Sequence, residues 1–400
     1  MKKIPPQKIF DSMRRPRVGI AFQEGLPFLE GARRGMVDYA NAHGGWTFLF
    51  IPEMAGQSVS GLRHAHVDGA FALLASSRER QIARSLGFPV VGLGGRLVPG
   101  ATPVVTSDDR LVGQMAAGHL LDIGFKRLGF YGISNAWYSR ERHAGFASAA
   151  RQAGAECDSL LVPVSYSAPN QLRQLERWLR ALRPPVGILA SIDMRAVMIV
   201  DACARIGLRV PDDVAVMGVN NDRFVCEQGP VPITSVDRND WKVGWEAAAM
   251  LDCLMSGQTP PVNPVLIEPR RVEARQSTRT MPVTDPFLAS LIAEARANLH
   301  KPFGVEWFIE QGKCSRRLLE MRFRAELGQT PLMVINKLRV GKARDLLADS
   351  KHELLRSADI AAMCGFPNLR RFCIVFRKLT GMTPKEYRRA HARPPAVVIG

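Results

Sequence analysis

The chain has 400 residues, 46% of them apolar and 23% charged, and carries a net charge of +17. That length divides into two or three domains, each able to bury its own core, and the composition is that of an ordinary soluble protein. No apolar run reaches the length of a membrane span, and the basic start, Met1–Asp11, has no apolar stretch after it to make a signal peptide, so a cytoplasmic protein is expected.

From residue 16 strand and helix alternate, leaving 1–15 as an N-terminal extension. Arg17 to Phe22 reads as a short apolar strand. A helix follows from Phe28 to His43, with Leu29, Ala32, Met36, Tyr39 and Ala40 on one face. Trp46–Ile51, Val67–Leu74 and Pro89–Leu93 read as further strands. Gly92, Gly94 and Gly95 leave the last of them without the third glycine of a dinucleotide fingerprint, so a turn is expected there. A second set begins at Arg127, with strands Arg127–Tyr131, Ser159–Pro163, Gly187–Ala190 and Ala215–Val219. Its helices are Arg140–Ala153, Asn170–Leu182 and Arg195–Ile206. Repeated units of this length predict parallel doubly wound sheets, here as two lobes in tandem with a ligand cleft at the carboxyl ends of the strands.

Several landmarks in this region carry a resemblance. They are Val105-Thr106-Ser107-Asp108-Asp109, Gly118-His119-Leu120-Leu121, Arg142 with Gly145-Phe146, Ala190 to Asp193, and Gly207 to Gly218 with Pro211 and Val214. Residues 16–275 resemble the LacI/GalR-type and periplasmic sugar-binding fold. The resemblance implies that Arg142 forks onto sugar hydroxyls, that Asp193 accepts at a strand end, and that Asn220 stands where an Asp is usual. Ile192 replaces a common Asn, so the identity of the sugar stays open. Phe22, Gln23 and Trp137 are placed to stack on or bond a sugar. Lobe packing is the alternative for Phe22 and Trp137, and an inter-lobe ion pair the alternative for Arg142.

Residues 276–290 read as a linker. The stretch Arg271–Asp285 is polar and is followed by Pro286, so a semi-rigid connector is expected.

Beyond it, helix, turn and helix occur twice. Val305–Glu310 is the first helix and Gln311 to Cys314 the turn. Ser315 then caps a helix with Arg316, Arg317 and Arg322 outward and Leu319 and Phe323 inward. Pro331–Leu347 is a helical rod of roughly 25 Å at about 1.5 Å per residue. In the second unit Ile360, Ala361 and Cys364 give a short helix its apolar side, and Gly365 ends it. Asn368 caps a helix with Phe372, Val375 and Phe376 inward and Arg370, Arg371, Arg377 and Lys378 outward. From Asp285 onward there are 21 Lys and Arg against 11 Asp and Glu, the balance of a polyanion-binding module.

Ile360-Ala361, Gly365-Phe366, Phe372, Phe376-Arg377, Gly381 and Thr383 to Arg388 resemble the AraC-type DNA-binding domain, over residues 291–392 with a tail at 393–400. Ile309, Lys313 and Met321 depart from that pattern in the first unit. The whole chain thus reads as a two-lobed α/β periplasmic-binding-protein-like domain plus an all-α double helix-turn-helix domain, the order of the xylose-operon activator family. This implies a sugar-responsive transcription activator of carbohydrate-utilisation genes. Its implied partners are operator DNA, a sugar effector (xylose or another pentose, alternatively a non-pentose sugar or sugar acid), a second copy of the chain and RNA polymerase, with no membrane. A sugar-converting enzyme is the rival reading. It finds little in the sequence: the eight His are scattered, no Gly-x-Ser-x-Gly occurs, and the adjacent carboxylates Asp108-Asp109 and Asp212-Asp213 are expected to point apart. Cys157, Cys203, Cys226, Cys253, Cys314, Cys364 and Cys373 form no Cys-x-x-Cys, so core thiols are expected, with no metal and no cofactor.

Overall fold

The computed structural model describes residues 15–22, 27–50, 59–74, 76–95, 102–164, 168–259, 261, 263–348, 352 and 354–391. Gln23, most of the N-terminal extension and the C-terminal tail lie outside these. The chain divides into two compact units, one ending at Thr278 and the other beginning at Arg279.

The first unit is built on two six-stranded sheets. Strands β1 (Arg17–Ala21), β2 (Thr47–Phe50), β3 (Gly69–Ala72), β4 (Val90–Leu93) and β5 (Val104–Ser107) begin the first lobe, with helices α1 (Pro27–Ala42) and α2 (Ser77–Arg84). β3, β4 and β5 are buried along their whole length, which is why β3 and β4 read as unbroken apolar runs.

After β5 the chain crosses to the second lobe. There it lays down α3 (Asp109–Ile123), β6 (Arg127–Ile133), α4 (Trp137–Gln152), β7 (Glu156–Val162) and α5 (Ala168–Ala181). The lobe continues with β8 (Val186–Ala190), α6 (Asp193–Ile206), β9 (Val214–Val219), α7 (Arg223–Glu227) and β10 (Thr234–Asp237). The chain then returns to the first lobe for α8 (Asp240–Met255) and β11 (Val265–Ile267), which pairs with β5. A third crossing ends in β12 (Arg271–Glu273), antiparallel to β10. The lobes are therefore interleaved and not in tandem. Strands of three residues such as β11 and β12 are too short to show a period, so nothing periodic marks the return.

The expected linker needs correction for a related reason. Arg275, Ser277 and Thr278 are buried. Ser277 Oγ donates to Val216 O at 2.6 Å and accepts from Thr234 N at 2.8 Å, and Thr278 Oγ1 lies 2.8 Å from Thr234 Oγ1 and 3.2 Å from His119 Nε2. Arg275 donates to Asn221 Oδ1 at 2.8 Å and Ile233 O at 3.0 Å. Polarity here marks hydrogen bonding inside the second lobe, not exposure. At its other end the stretch is helical too. α9 (Pro286–Ala297) starts on an Asp285 cap, whose Oδ1 accepts from Phe287 N at 2.9 Å, with proline at the first helical position.

The second unit continues with α10 (Val305–Gly312), α11 (Arg316–Leu327), α12 (Pro331–Ala348), α13 (Ser357–Met363), α14 (Leu369–Thr380) and α15 (Pro384–His391). Lys313 takes the left-handed turn position after α10 at φ +45°, the place glycine usually fills, and Gly365 follows α13 at φ +70°. Of the cysteines expected in the core, Cys157 and Cys253 are exposed instead.

The lobes are tightened by helices that touch backbone to backbone. A β-carbon on Gly113 of α3 would lie 2.0 Å from Arg142 O of α4, and one on Gly145 would lie 1.9 Å from Arg110 O. Gly118, on the same α3, faces open space. Gly113→Ala should therefore cost about 1–3 kcal/mol or more through overpacking against a backbone that cannot yield. Gly118→Ala should instead add up to about 1 kcal/mol from helix propensity. Chemical denaturation of both variants checks this, and equal shifts would disprove the close crossing.

Candidate functional site

Two of the three crossings bring charged groups together between the lobes. The first crossing ends in Asp108 and Asp109. Asp108 Oδ1 caps α3 by accepting from Leu111 N at 2.9 Å, while Asp109 turns the other way and accepts from Arg142 Nε at 2.7 Å. Both members of that ion pair are 1% exposed, so it sits in a low-dielectric setting where each charge depends on the other. Arg142 also donates to Ser191 O at the end of β8, and its guanidinium lies 4.9 Å from the Tyr138 ring. Burial pulls the Arg142 pKa below its ordinary value, Asp109 pushes it back up, and Arg238 lowers it further.

Arg238 and Asp240 come from the second crossing. Arg238 Nη1 lies 3.5 Å from Asn220 Oδ1 and Nη2 lies 3.4 Å from Asp240 Oδ1, with the guanidinium 5.0 Å from the Phe28 ring of α1. Burial raises the Asp240 carboxyl to about 6, while Arg238 and Arg142 pull it down and Asp237 and Asp109 push it up. Asn220 ends β9 in the left-handed region at φ +112°. Trp137 opens α4, and a β-carbon on Gly94, at the end of β4, would lie 3.6 Å from its ring, so the indole reaches the other lobe. Two arginines and two aspartates are thus gathered where the lobes meet, ringed by Phe28, Trp137 and Tyr138. Among the described residues, Asp109 Oδ2, Ser191 Oγ and Arg238 Nε are buried without a hydrogen-bond partner. Buried polar atoms left this way are costly, and a hydroxylated ligand would satisfy them.

In the second unit each turn is followed by a capped helix. Ser315 Oγ accepts from Leu318 N at 3.3 Å and Asn368 Oδ1 from Arg371 N at 2.8 Å. α14 buries Phe372, Val375 and Phe376 and leaves Arg370, Arg371, Arg377 and Lys378 exposed. α11 exposes Arg316, Arg317, Met321 and Arg324 around Glu320, which accepts from Arg316 Nε at 3.2 Å.

Residues 117–278 match the model of the periplasmic binding protein-like domain, and 310–390 that of a helix-turn-helix domain. The xylose operon regulatory protein of Escherichia coli strain K12 is 29% identical over 388 residues, covering 94% of this chain and 97% of that protein. The protein of the same name from Haemophilus influenzae is 25% identical, covering 93% and 98%. A solved structure of the xylose-binding transcription activator xylR superposes with a TM-score of 0.69 at 26% identity, covering 95% of this chain and 99% of that one. The chain is thus similar to the xylose operon regulators along nearly its whole length. It is a DNA-binding transcription regulator, with a periplasmic binding protein-like first domain and a helix-turn-helix second domain.

Within the regulator, the residues singled out from sequence divide. Arg142, Asn220 and Trp137 gather at the lobe junction, and the ion pair kept open for Arg142 is present, with Asp109. Phe22 packs into the first-lobe core with Leu29, Met36 and Phe71. Asp193 is buried in the second lobe, where Oδ1 accepts from Ser235 Oγ at 2.6 Å and Oδ2 from Asp222 N at 2.9 Å. Burial raises its carboxyl to about 6 against those hydrogen bonds. Both its oxygens are engaged in holding β10 and α7 to α6. Arg322, expected to face outward, keeps part of its side chain exposed and also lies 3.4 Å from Asp285 and 4.7 Å from the Phe287 ring, tying α11 to α9. Asp109, Arg238, Asp240 and Arg324 were not foreseen as site residues. A signal existed for the first three, since Ser107-Asp108-Asp109 and Asp237-Arg238-Asn239-Asp240 each stand between an apolar strand and an apolar-faced helix.

Arg142→Met leaves Asp109 buried and alone, which should cost about 3–5 kcal/mol of sensor-domain stability. Adding Asp109→Leu should recover most of that in a double-mutant cycle, and a double variant no more stable than the single one would refute the pairing. On the DNA side, Arg370→Ala or Arg371→Ala should weaken operator binding by about 1–3 kcal/mol at unchanged melting temperature. Arg322→Ala should do the reverse, lowering the melting temperature while base preference stays put. Quantitative footprinting paired with thermal melts separates the two patterns.

Proposed function

We propose that this regulator is a cytoplasmic, dimeric activator that binds xylose or another neutral sugar between its lobes and works through contact with RNA polymerase. The observation that carries the sugar reading is the buried set of Arg142, Arg238, Asp109 and Asp240 beside Asn220, with partnerless polar atoms inside it. Two positive and two negative groups sum to no net charge. Such a site favours a neutral polyol, whose hydroxyls both donate and accept, over a sugar acid that would bring an unmatched charge. Trp137, Tyr138 and Phe28 offer ring faces for the apolar side of a pyranose. The names of the relatives that match along nearly their whole length point to xylose.

A ligand bonded at once to groups on both sides of the crossings favours the lobe arrangement in which they converge, so binding energy becomes a population shift. DNA is met by Arg316, Arg317 and Arg324 on α11 and by Arg370, Arg371, Arg377 and Lys378 on α14, with Ser315 and Asn368 at the helix starts that face phosphate. Met321 and Ile374, exposed among these arginines, are suited to thymine methyl groups.

A melting screen against pentoses, hexoses and sugar acids tests the effector class, with a ligand at about 100 times its dissociation constant adding about 2.7 kcal/mol. Acid dependence tests the site. Sugar hydroxyls that donate to Asp240 select its ionised form, and burial has raised that carboxyl to about 6. Affinity should therefore be full above that pH and fall as pH drops through it, by up to about tenfold per unit. Asp240→Asn should flatten the profile. Affinity that rises on acidification would remove Asp240 as an acceptor.

A further inference from the structure

The DNA-binding unit has two separate apolar cores that share one helix. Helices α9, α10 and α11 and the first half of α12 (Val334, Ile335, Leu338) make the first. Helices α13, α14 and α15 and the second half of α12 (Val340, Ala343, Leu347) make the other. Between Leu338 and Val340, where one core stops and the next begins, stands Arg339, only 5% exposed.

Arg339 reaches both halves. Its Nη2 donates to Phe303 O at 2.8 Å and lies 3.4 Å from Lys301 O, in the loop that leads into α10. Its guanidinium lies 4.9 Å from the Phe303 ring, on the first core, and 5.8 Å from the Phe366 ring, in the second. The same loop meets the turn of the second helix-turn-helix directly. A β-carbon on Gly365 would lie 2.5 Å from Lys301 O and 2.6 Å from Leu299 O, so loop and turn are in backbone contact.

An apolar residue at this junction would avoid the cost of burying a charge. What an arginine adds is a rigid fork that fixes the direction of the carbonyls it holds. That matters because the shared helix carries Gly341 just beyond the junction, with open space around it and a weak hold on helical geometry. Without the clamp, the two halves would be joined by a rod free to bend at its middle.

We propose that Arg339 is the positioning residue that fixes the separation and twist between α11 and α14, and thereby the spacing of operator elements the regulator accepts. The inference rests on the reading that both helices engage one duplex. One base pair more or less moves the second element by about 3.4 Å and rotates it by about 34°, given 10–10.5 base pairs per turn.

The test uses the full chain and an operator selected from random duplexes, with one or two base pairs added or removed between its two elements. Wild type should lose roughly tenfold or more in affinity for each altered spacing. Arg339→Met should bind the original operator more weakly and respond to spacing by no more than about threefold. Arg339→Lys, which keeps the charge but not the fork, and Gly365→Ala, which forces loop and turn apart, should flatten the profile in the same way. Val340→Ala loses core packing beside the clamp and should keep the steep wild-type profile at a lowered melting temperature. A steep profile in the Arg339 and Gly365 variants overturns the proposal. A flat profile in wild type itself overturns the two-helix reading beneath it, and shows this before any variant is made.

Discussion

Where α3 crosses α4, the two backbones touch, and much of the sensor domain follows from that contact. Gly113 lies on the carbonyl of Arg142 and Gly145 on that of Arg110, so the start of α3 is pinned beside the middle of α4. The Asp109–Arg142 pair is a direct result. The first lobe repeats the device. Gly35 of α1 lies against the carbonyl of Trp241, and Gly244 of α8 against that of Ala32, which sets Arg238 over Phe28 beside Asp240. In each lobe a helix that begins at a chain crossing is seated on a neighbour by glycine, and in each lobe the seat delivers a carboxylate and an arginine to the junction.

The charge cluster so produced is an uneasy one. Buried arginines and aspartates seldom stabilise a fold, because desolvation offsets most of their attraction. The buried atoms left without partners add to that cost. A site with this character holds the protein less firmly when empty than a packed apolar junction would, and so leaves more for a ligand to change. The DNA-binding unit uses a buried arginine differently. Arg339 is tied to main-chain carbonyls and rings and not to a carboxylate, and it joins two cores that are otherwise complete.

The helix-turn-helix pair was largely legible because its rules are local. Ser315 and Asn368 are caps, Gly365 is a left-handed stop, and Phe372 and Phe376 fall at helical spacing, each acting within its own helix-turn-helix unit. Arg322 shows where local rules end. It keeps an exposed side on the helical wheel but is also held by Phe287 and its neighbour Asp285, at the start of a helix that begins inside the expected linker. The sensor was legible as alternating strands and helices, but its lobe assignment was not. The pairings of β11 with β5 and β12 with β10 join segments more than thirty residues apart in sequence and leave no periodic trace. Asp193 failed for a further reason. A carboxylate at a strand end is equally suited to a ligand and to its own lobe, and only the positions of Ser235 and Asp222 decide between them.

The threefold crossing also bears on how such a sensor can be inherited. Neither lobe is a continuous piece of chain, since β11 and α8 belong with residues encoded well upstream of them. A cut anywhere between Ile133 and Val265 would divide both sheets, parting β11 from β5 and the strands of the second sheet from one another. A seam after the Gln276–Thr278 turn leaves both sheets whole, so the DNA-binding unit beyond it can be exchanged with the sensor intact.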